Sequence, residues 1–102
     1  MSKTKQVEAG GRVFIVKKLS AVDRMKLAEL GLNFSDEEVK ALAYVAASVT
    51  EIDGIPFAPL RTKENIYNRI EKIEDDLGAL AVAFGEMNGE DSAKEDIEAA
   101  KN

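Results

Sequence analysis

The sequence has 102 residues, of which 45% are hydrophobic and 32% charged, and its formal net charge is −5. This length suits one domain with one core, and the composition is typical of a folded, soluble chain. The chain contains neither cysteine nor histidine. This excludes disulfides and thiolate metal sites, and it removes the commonest general base and transition-metal ligand. We therefore expect no enzyme, no catalytic residues, no cofactor and no metal site.

No apolar run approaches the length of about 20 residues that is needed to span a bilayer. The first residues also lack the apolar stretch of a signal peptide. We therefore expect no membrane partner. The charge is unevenly placed, because residues 1–26 carry seven basic and two acidic side chains, whereas residues 86–102 carry six acidic and two basic ones. Either the two ends are simply solvated, or the basic end pairs with the acidic end of another copy in a homo-oligomer, or the charged ends steer a charged partner.

The first elements of the chain show strand character. Residues 1–11 form either a flexible lead-in or a weak strand from Gln6 to Ala9 that turns at Gly10–Gly11. The run Arg12–Lys17 is rich in β-branched and aromatic side chains and is the best strand in the sequence.

Two helices are predicted to follow. Ser20 is placed to cap a helix over residues 21–30, with Asp23 completing a capping box and Gly31 as the left-handed residue after the end. Ser35 gives a second cap signal ahead of three acidic residues. The second helix then buries apolar side chains at helical spacing, namely Val39, Leu42, Ala43, Ala46 and Val49.

The second half of the chain opens on a turn. Asp53–Gly54 between isoleucines predicts a tight hairpin, and Thr62 is expected to cap a third helix. The inward residues of that helix are expected to be Ile66, Ile70 and Ile73. A fourth helix begins at Asp75 or Asp76, ends at Gly89 and buries Leu77, Leu80, Ala81, Phe84 and Met87.

These elements predict an α+β fold that is mainly α: a small domain of four to five helices with an N-terminal strand and a short β-hairpin. We expect one globular domain over residues 1–88, with residues 1–11 as a flexible lead-in. Residues 89–102 form an acidic C-terminal tail, which is either a short helix opened by a capping box at Ser92–Glu95 or disordered.

Two functional interpretations of charged segments have simpler explanations. The clusters Asp36–Glu38 and Glu74–Asp76 are acids at helix starts, since neighbouring helix residues point in different directions and do not converge on a metal ion. The first two helices have the approximate length of a helix-turn-helix. Their second helix starts with acids and offers only Lys40 as a cation, which disfavours nucleic acid as a partner.

The fourth helix carries more apolar surface than one buried face requires, because Leu77–Phe84 is apolar nearly all round. Such a helix is either central to the core or pairs with another chain. On the second interpretation, its outer side and the segment after the hairpin are candidates for binding a partner. The candidate residues are Ile55, Phe57, Leu60, Tyr67, Ala79, Val82 and Ala83.

Several segments of the chain resemble the tail assembly chaperones of long-tailed phages. The segment Lys18–Arg24 is similar to a helix start of that family, and Val49–Pro56 is similar to its Val-x-x-Ile-Asp-Gly-x-Pro element. Pro59–Lys63 and Asp76–Ala79 match a Pro-x-x-Thr-Lys element and an Asp-x-Gly-Ala helix. The likeness covers residues 12–87.

The resemblance implies a phage or prophage assembly factor in the bacterial cytoplasm that is absent from the mature virion. Such a protein binds the tape-measure protein by non-catalytic contact until tail-tube subunits polymerise around it, so the tail-tube protein is a second expected partner. Two alternatives stay open: a structural tail or baseplate component, and a small helix-turn-helix DNA-binding regulator.

Overall fold

The computed structural model describes residues 4–88, and within them the strands form one four-stranded antiparallel sheet. The strands are β1 (Thr4–Ala9), β2 (Arg12–Lys17), β3 (Val49–Ile52) and β4 (Ile55–Pro56), and they lie in the sheet in that order. The predicted strand at Arg12–Lys17 is confirmed. Of the two interpretations of the first residues, the strand is the one observed: residues 4–9 pair with β2 and Gly10–Gly11 form the turn between them.

Both hairpin turns use backbone conformations that favour glycine. Gly10 and Gly11 have positive φ angles between β1 and β2, and Asp53 and Gly54 have φ angles of 51° and 82° between β3 and β4. The predicted turn at Asp53–Gly54 is therefore confirmed. Its Asp53 carboxylate accepts a hydrogen bond from the backbone N–H of Val13 at 2.8 Å, which attaches this turn to β2.

The helical residues fall into three segments of the described chain. The helices are α1 (Ala21–Ala28), α2 (Glu37–Ser48), α3 (Lys63–Ile73) and α4 (Leu77–Asn88). A 3-10 turn, Glu74–Asp76, joins α3 to α4 without a break, so residues 63–88 form one helical segment. The predicted caps at Ser20 and Thr62 are confirmed, each within a capping box.

The predicted fold class is wrong. The structure is a small α+β domain with a four-stranded antiparallel sheet and three helical segments, not a mainly α domain of four to five helices with a strand and a separate hairpin. The error arose at Val49, which was assigned to the second helix because it continues the helical spacing of that helix's apolar residues. In the structure the helix ends at Ser48, and residues 49–52 leave it to pair with β2.

Two smaller predictions also need correction. The cap of α2 is Asp36, whose carboxylate accepts from the N–H groups of Glu38 and Val39, while the Ser35 hydroxyl donates to Asn33 instead. In α4, Ala81 is exposed and Ala83 is buried. Because Ala83 lies three residues after the buried Leu80, it shares that face of the helix, whereas Ala81 does not. The predicted end at Gly89 and the Ser92–Glu95 capping box lie outside the described residues.

The core has two parts, which share contacts with Ile70 and Phe84. The larger part lies between the sheet and the helices and contains Phe14, Val16, Val45, Ala46, Val49, Ile73, Leu80 and Ala83. The smaller part lies beneath α1 and contains Leu19, Leu27, Ala47 and Ile66. None of the helices described over residues 4–88 is both long enough and apolar enough to cross a membrane.

Candidate functional site

An open groove of about 710 Å³ lies between α1 and the segment 57–61 that follows β4. Its floor is formed by the buried side chains of Leu19, Leu27 and Ala47, which belong to the smaller part of the core. Phe57 and Leu60 are only partly buried and line the opposite wall. Sites of this size bind ligands mainly through apolar contacts that a few polar groups orient. The groove therefore offers both apolar surface and polar groups to a segment of another molecule.

Charged side chains surround this apolar floor. Four cations line the groove, Lys17, Lys26, Arg61 and Arg69, against two carboxylates, Asp23 and Glu29. The local charge is thus positive, although the whole chain is acidic. Among the described residues, neither Lys26 nor Arg61 forms an ion pair, so both are available to an anionic group of a ligand.

Arg69 holds the wall of the groove in place from α3. Only 6% of this residue is exposed, and no carboxylate of the described chain forms an ion pair with it. Its Nη1 donates to the carbonyls of Ala46 and Val49 at 3.2 and 3.0 Å, and its Nη2 donates to the carbonyl of Ala58 at 2.8 Å. One planar side chain therefore links the end of α2 and the start of β3 to the segment after β4.

Burial has an electrostatic consequence for this guanidinium. Desolvation lowers the pKa of Arg69 to about 10, so the side chain remains charged at neutral pH. The sequence interpretation missed Arg69. Its position in the sequence could have identified it as a buried residue. Arg69 lies three residues after Ile66 and four before Ile73, so it is on the buried face of α3.

The start of α1 is fixed by the Ser20 capping box and by Lys17. The Asp23 carboxylate accepts from the Ser20 N–H at 2.9 Å and lies 3.4 Å from Lys17 Nζ. Desolvation by burial works against ionisation, but the hydrogen bonds from Ser20 and the charge of Lys17 outweigh it and lower the pKa of Asp23. These contacts orient α1 as the second wall of the groove.

The structure gathers only part of the predicted partner-binding set. Phe57 and Leu60 line the groove. Ile55, 72% exposed, and Tyr67, half exposed, do not line it. Ala79 and the 63% exposed Val82 lie on the solvent side of α4, away from the groove lining. Ala83 is a core residue, so its predicted place on the outer side of α4 is wrong.

Other kinds of site find little support in the described residues. No group of three or more acidic side chains in residues 4–88 is arranged to hold a metal ion. The helix that would have to enter a DNA groove, α2, is buried over its last six residues except Tyr44, and its exposed first turn is acidic. A phosphate backbone would be repelled by that turn.

Comparison with known proteins adds no relative, since no protein-family model, no curated protein and no solved structure matches the chain.

Proposed function

We propose that the protein is a phage or prophage tail assembly chaperone that holds the tape-measure protein by non-catalytic contact. The observation that carries the proposal is the open groove with an apolar floor between α1 and the segment 57–61. The resemblance over residues 12–87 supplies the biological setting. The groove supplies a surface suited to holding an apolar stretch of another chain.

The chemistry of the groove lining supports this proposal. A tape-measure protein is long and helical, and before assembly it exposes apolar stripes to water. An amphipathic helix can lay such a stripe into an apolar groove, with its polar side facing the charged rim. A groove that contacts a few side chains also favours reversible binding, which lets the tail-tube protein displace the chaperone.

The proposal includes a place and a time of action. The protein acts in the bacterial host cytoplasm and leaves before the virion is complete. The alternative within the same setting is a structural tail or baseplate component. Mass spectrometry of purified particles separates the two, because a structural component is found in stoichiometric amounts and a chaperone is not.

The direct test is co-expression with the tape-measure protein of the same gene cluster, followed by affinity purification. We expect the two chains to co-purify and the tape-measure protein to become more soluble. Leu60→Asp introduces a charge into the groove wall and should weaken binding about tenfold or more, as loss of a central apolar anchor does. Ile55→Asp is the matched control, because Ile55 is an exposed aliphatic residue of the adjoining strand β4 and does not line the groove. Equal binding by both variants would exclude the groove as the client site.

A further inference from the structure

We propose that residues 89–102 of the same chain, here called the acidic segment, occupy the groove between α1 and the segment 57–61 and compete there with other ligands. This inference concerns the same groove as the proposed function, but its test needs no client. Three observations support it: charge, point of attachment and apolar content.

The charges of the groove and the acidic segment are opposite. The acidic segment contains five carboxylates and two lysines, a net charge of −3 from its side chains. The groove lining contains four cations and two carboxylates, a net charge of +2. Lys26 and Arg61 on its rim form no ion pair among the described residues. In a chain of net charge −5, this groove is a local surface that attracts acidic groups.

The acidic segment is attached beside the groove. Asn88, the last residue of α4, accepts a hydrogen bond through Oδ1 from the backbone N–H of Leu19 at 2.7 Å. Leu19 is itself part of the groove floor. Fourteen residues can span up to about 46 Å when extended, so the length of residues 89–102 sets no obstacle. A tethered segment this close also has an effective concentration in the millimolar range, which makes even weak docking effective.

The acidic segment carries one large apolar side chain, Ile97, between Asp96 and Glu98. This local pattern of an aliphatic residue flanked by acids matches the groove, which has an apolar floor and, at its rim, cations that form no ion pair within residues 4–88. We therefore assign Ile97 as the apolar anchor and the neighbouring carboxylates as partners of the rim. Docking of this kind should weaken as salt screens the ionic contacts.

The absence of cysteine from the sequence permits a clean test in the full-length protein. Ala93→Cys places a single nitroxide spin label in the acidic segment, and the amide signals of an ¹⁵N-labelled sample are compared before and after reduction of the label. We expect selective loss of intensity at the groove residues Leu27, Leu30 and Leu60, with little loss at Val82 on the solvent side of α4. Adding salt should restore the signals.

Variants of the rim and of the anchor identify the contacts. Lys26→Glu, Arg61→Glu and Ile97→Asp should each restore intensity at the groove residues. Lys40→Glu makes the same charge change on α2, away from the groove lining, and should leave the intensity loss in place. The dispersion of the amide spectrum confirms that each variant is folded.

Several outcomes would overturn the proposal. Uniform intensity loss, or loss centred on Val82, would show that the acidic segment does not dock in the groove.

A second sample detects docking between copies. It mixes ¹⁵N-labelled protein that carries no spin label with spin-labelled protein that carries no ¹⁵N. Intensity loss at the groove residues in that mixture can arise only between copies. It would replace the same-chain contact with an exchange between two copies. If the groove signals respond only to added tape-measure protein, this inference fails while the proposed function stands. If the acidic segment docks and no client binds, this inference stands and the proposed function fails.

Discussion

The guanidinium of Arg69 lies over the ring of Phe57, with its central carbon 4.8 Å from the ring centroid. The same guanidinium donates hydrogen bonds to the carbonyls of Ala46, Val49 and Ala58. Phe57 therefore stacks on a side chain that is itself held by the backbone of three elements. Through this contact α3 sets the position of one wall of the groove, so Arg69 is a positioning residue for whatever binds there.

Replacing Arg69 should strongly destabilise the fold. We expect Arg69→Met to lower the free energy of unfolding by about 2–4 kcal/mol, because it leaves buried carbonyl groups without their donors. Arg69→Lys should also be destabilising, since one ammonium group cannot reproduce the planar fork of a guanidinium. Urea denaturation followed by circular dichroism measures both effects. Arg61→Met is the control, because Arg61 is exposed and its loss should change stability by no more than about 0.5 kcal/mol. A similar small change for Arg69→Met would show that its hydrogen bonds do not stabilise the fold.

Two glycines should respond to alanine with opposite signs. Gly54 has a φ of 82° in the turn between β3 and β4, where a side chain is strained, so Gly54→Ala should destabilise by about 1 kcal/mol or more. Gly78 lies in α4, and a Cβ added there would meet no atom within 4 Å. Gly78→Ala should therefore stabilise by about 0.5–1 kcal/mol. Thermal unfolding of the two variants in one buffer measures the difference, and shifts of the same sign would contradict this account.

Sequence reasoning succeeded in this chain where a few adjacent residues decide the structure. The caps at Ser20 and Thr62 and the turn at Asp53–Gly54 each depend on contacts within four residues. It failed at Val49, because the apolar spacing of a helix and of a buried strand coincide there and long-range pairing with β2 decides between them.

The candidate site was predictable only in part for the same reason. Phe57 and Leu60 were identified from apolar character near a turn. The opposite wall comes from α1, which lies about 30 residues earlier in the sequence, and only the folded chain brings the two together. Arg69 was missed because a single charged residue on an apolar stripe is normally a surface residue, and its partners are backbone carbonyls that no sequence pattern marks.

The capping contacts of Asp23 should make the stability of α1 depend on pH. The folded state lowers the pKa of Asp23 below its ordinary value of 3.8, so its contribution is fully present above that value and is lost as pH falls through the folded pKa. We expect Asp23→Ala to destabilise by about 0.5–1.5 kcal/mol at pH 6, with the difference from wild type shrinking below about pH 4. Denaturant titrations between pH 3 and 6 measure this difference in the free energy of unfolding. Glu29→Ala is the control, because Glu29 is an exposed carboxylate at the C-terminal end of α1. A difference that stays constant down to pH 3 would show that the ionised carboxylate is not the stabilising group.

The solvent side of α4 offers the sharpest test of where a client binds. Val82 is 63% exposed, and it does not line the groove. We therefore expect Val82→Asp to leave the free energy of unfolding unchanged within about 0.5 kcal/mol and to bind the tape-measure protein within about twofold of wild type. Leu60→Asp, by contrast, should lose that binding about tenfold or more. Isothermal titration of both variants against a soluble tape-measure fragment compares them directly. If Val82→Asp loses binding and Leu60→Asp retains it, the client lies on α4, and the groove is left to the acidic segment alone.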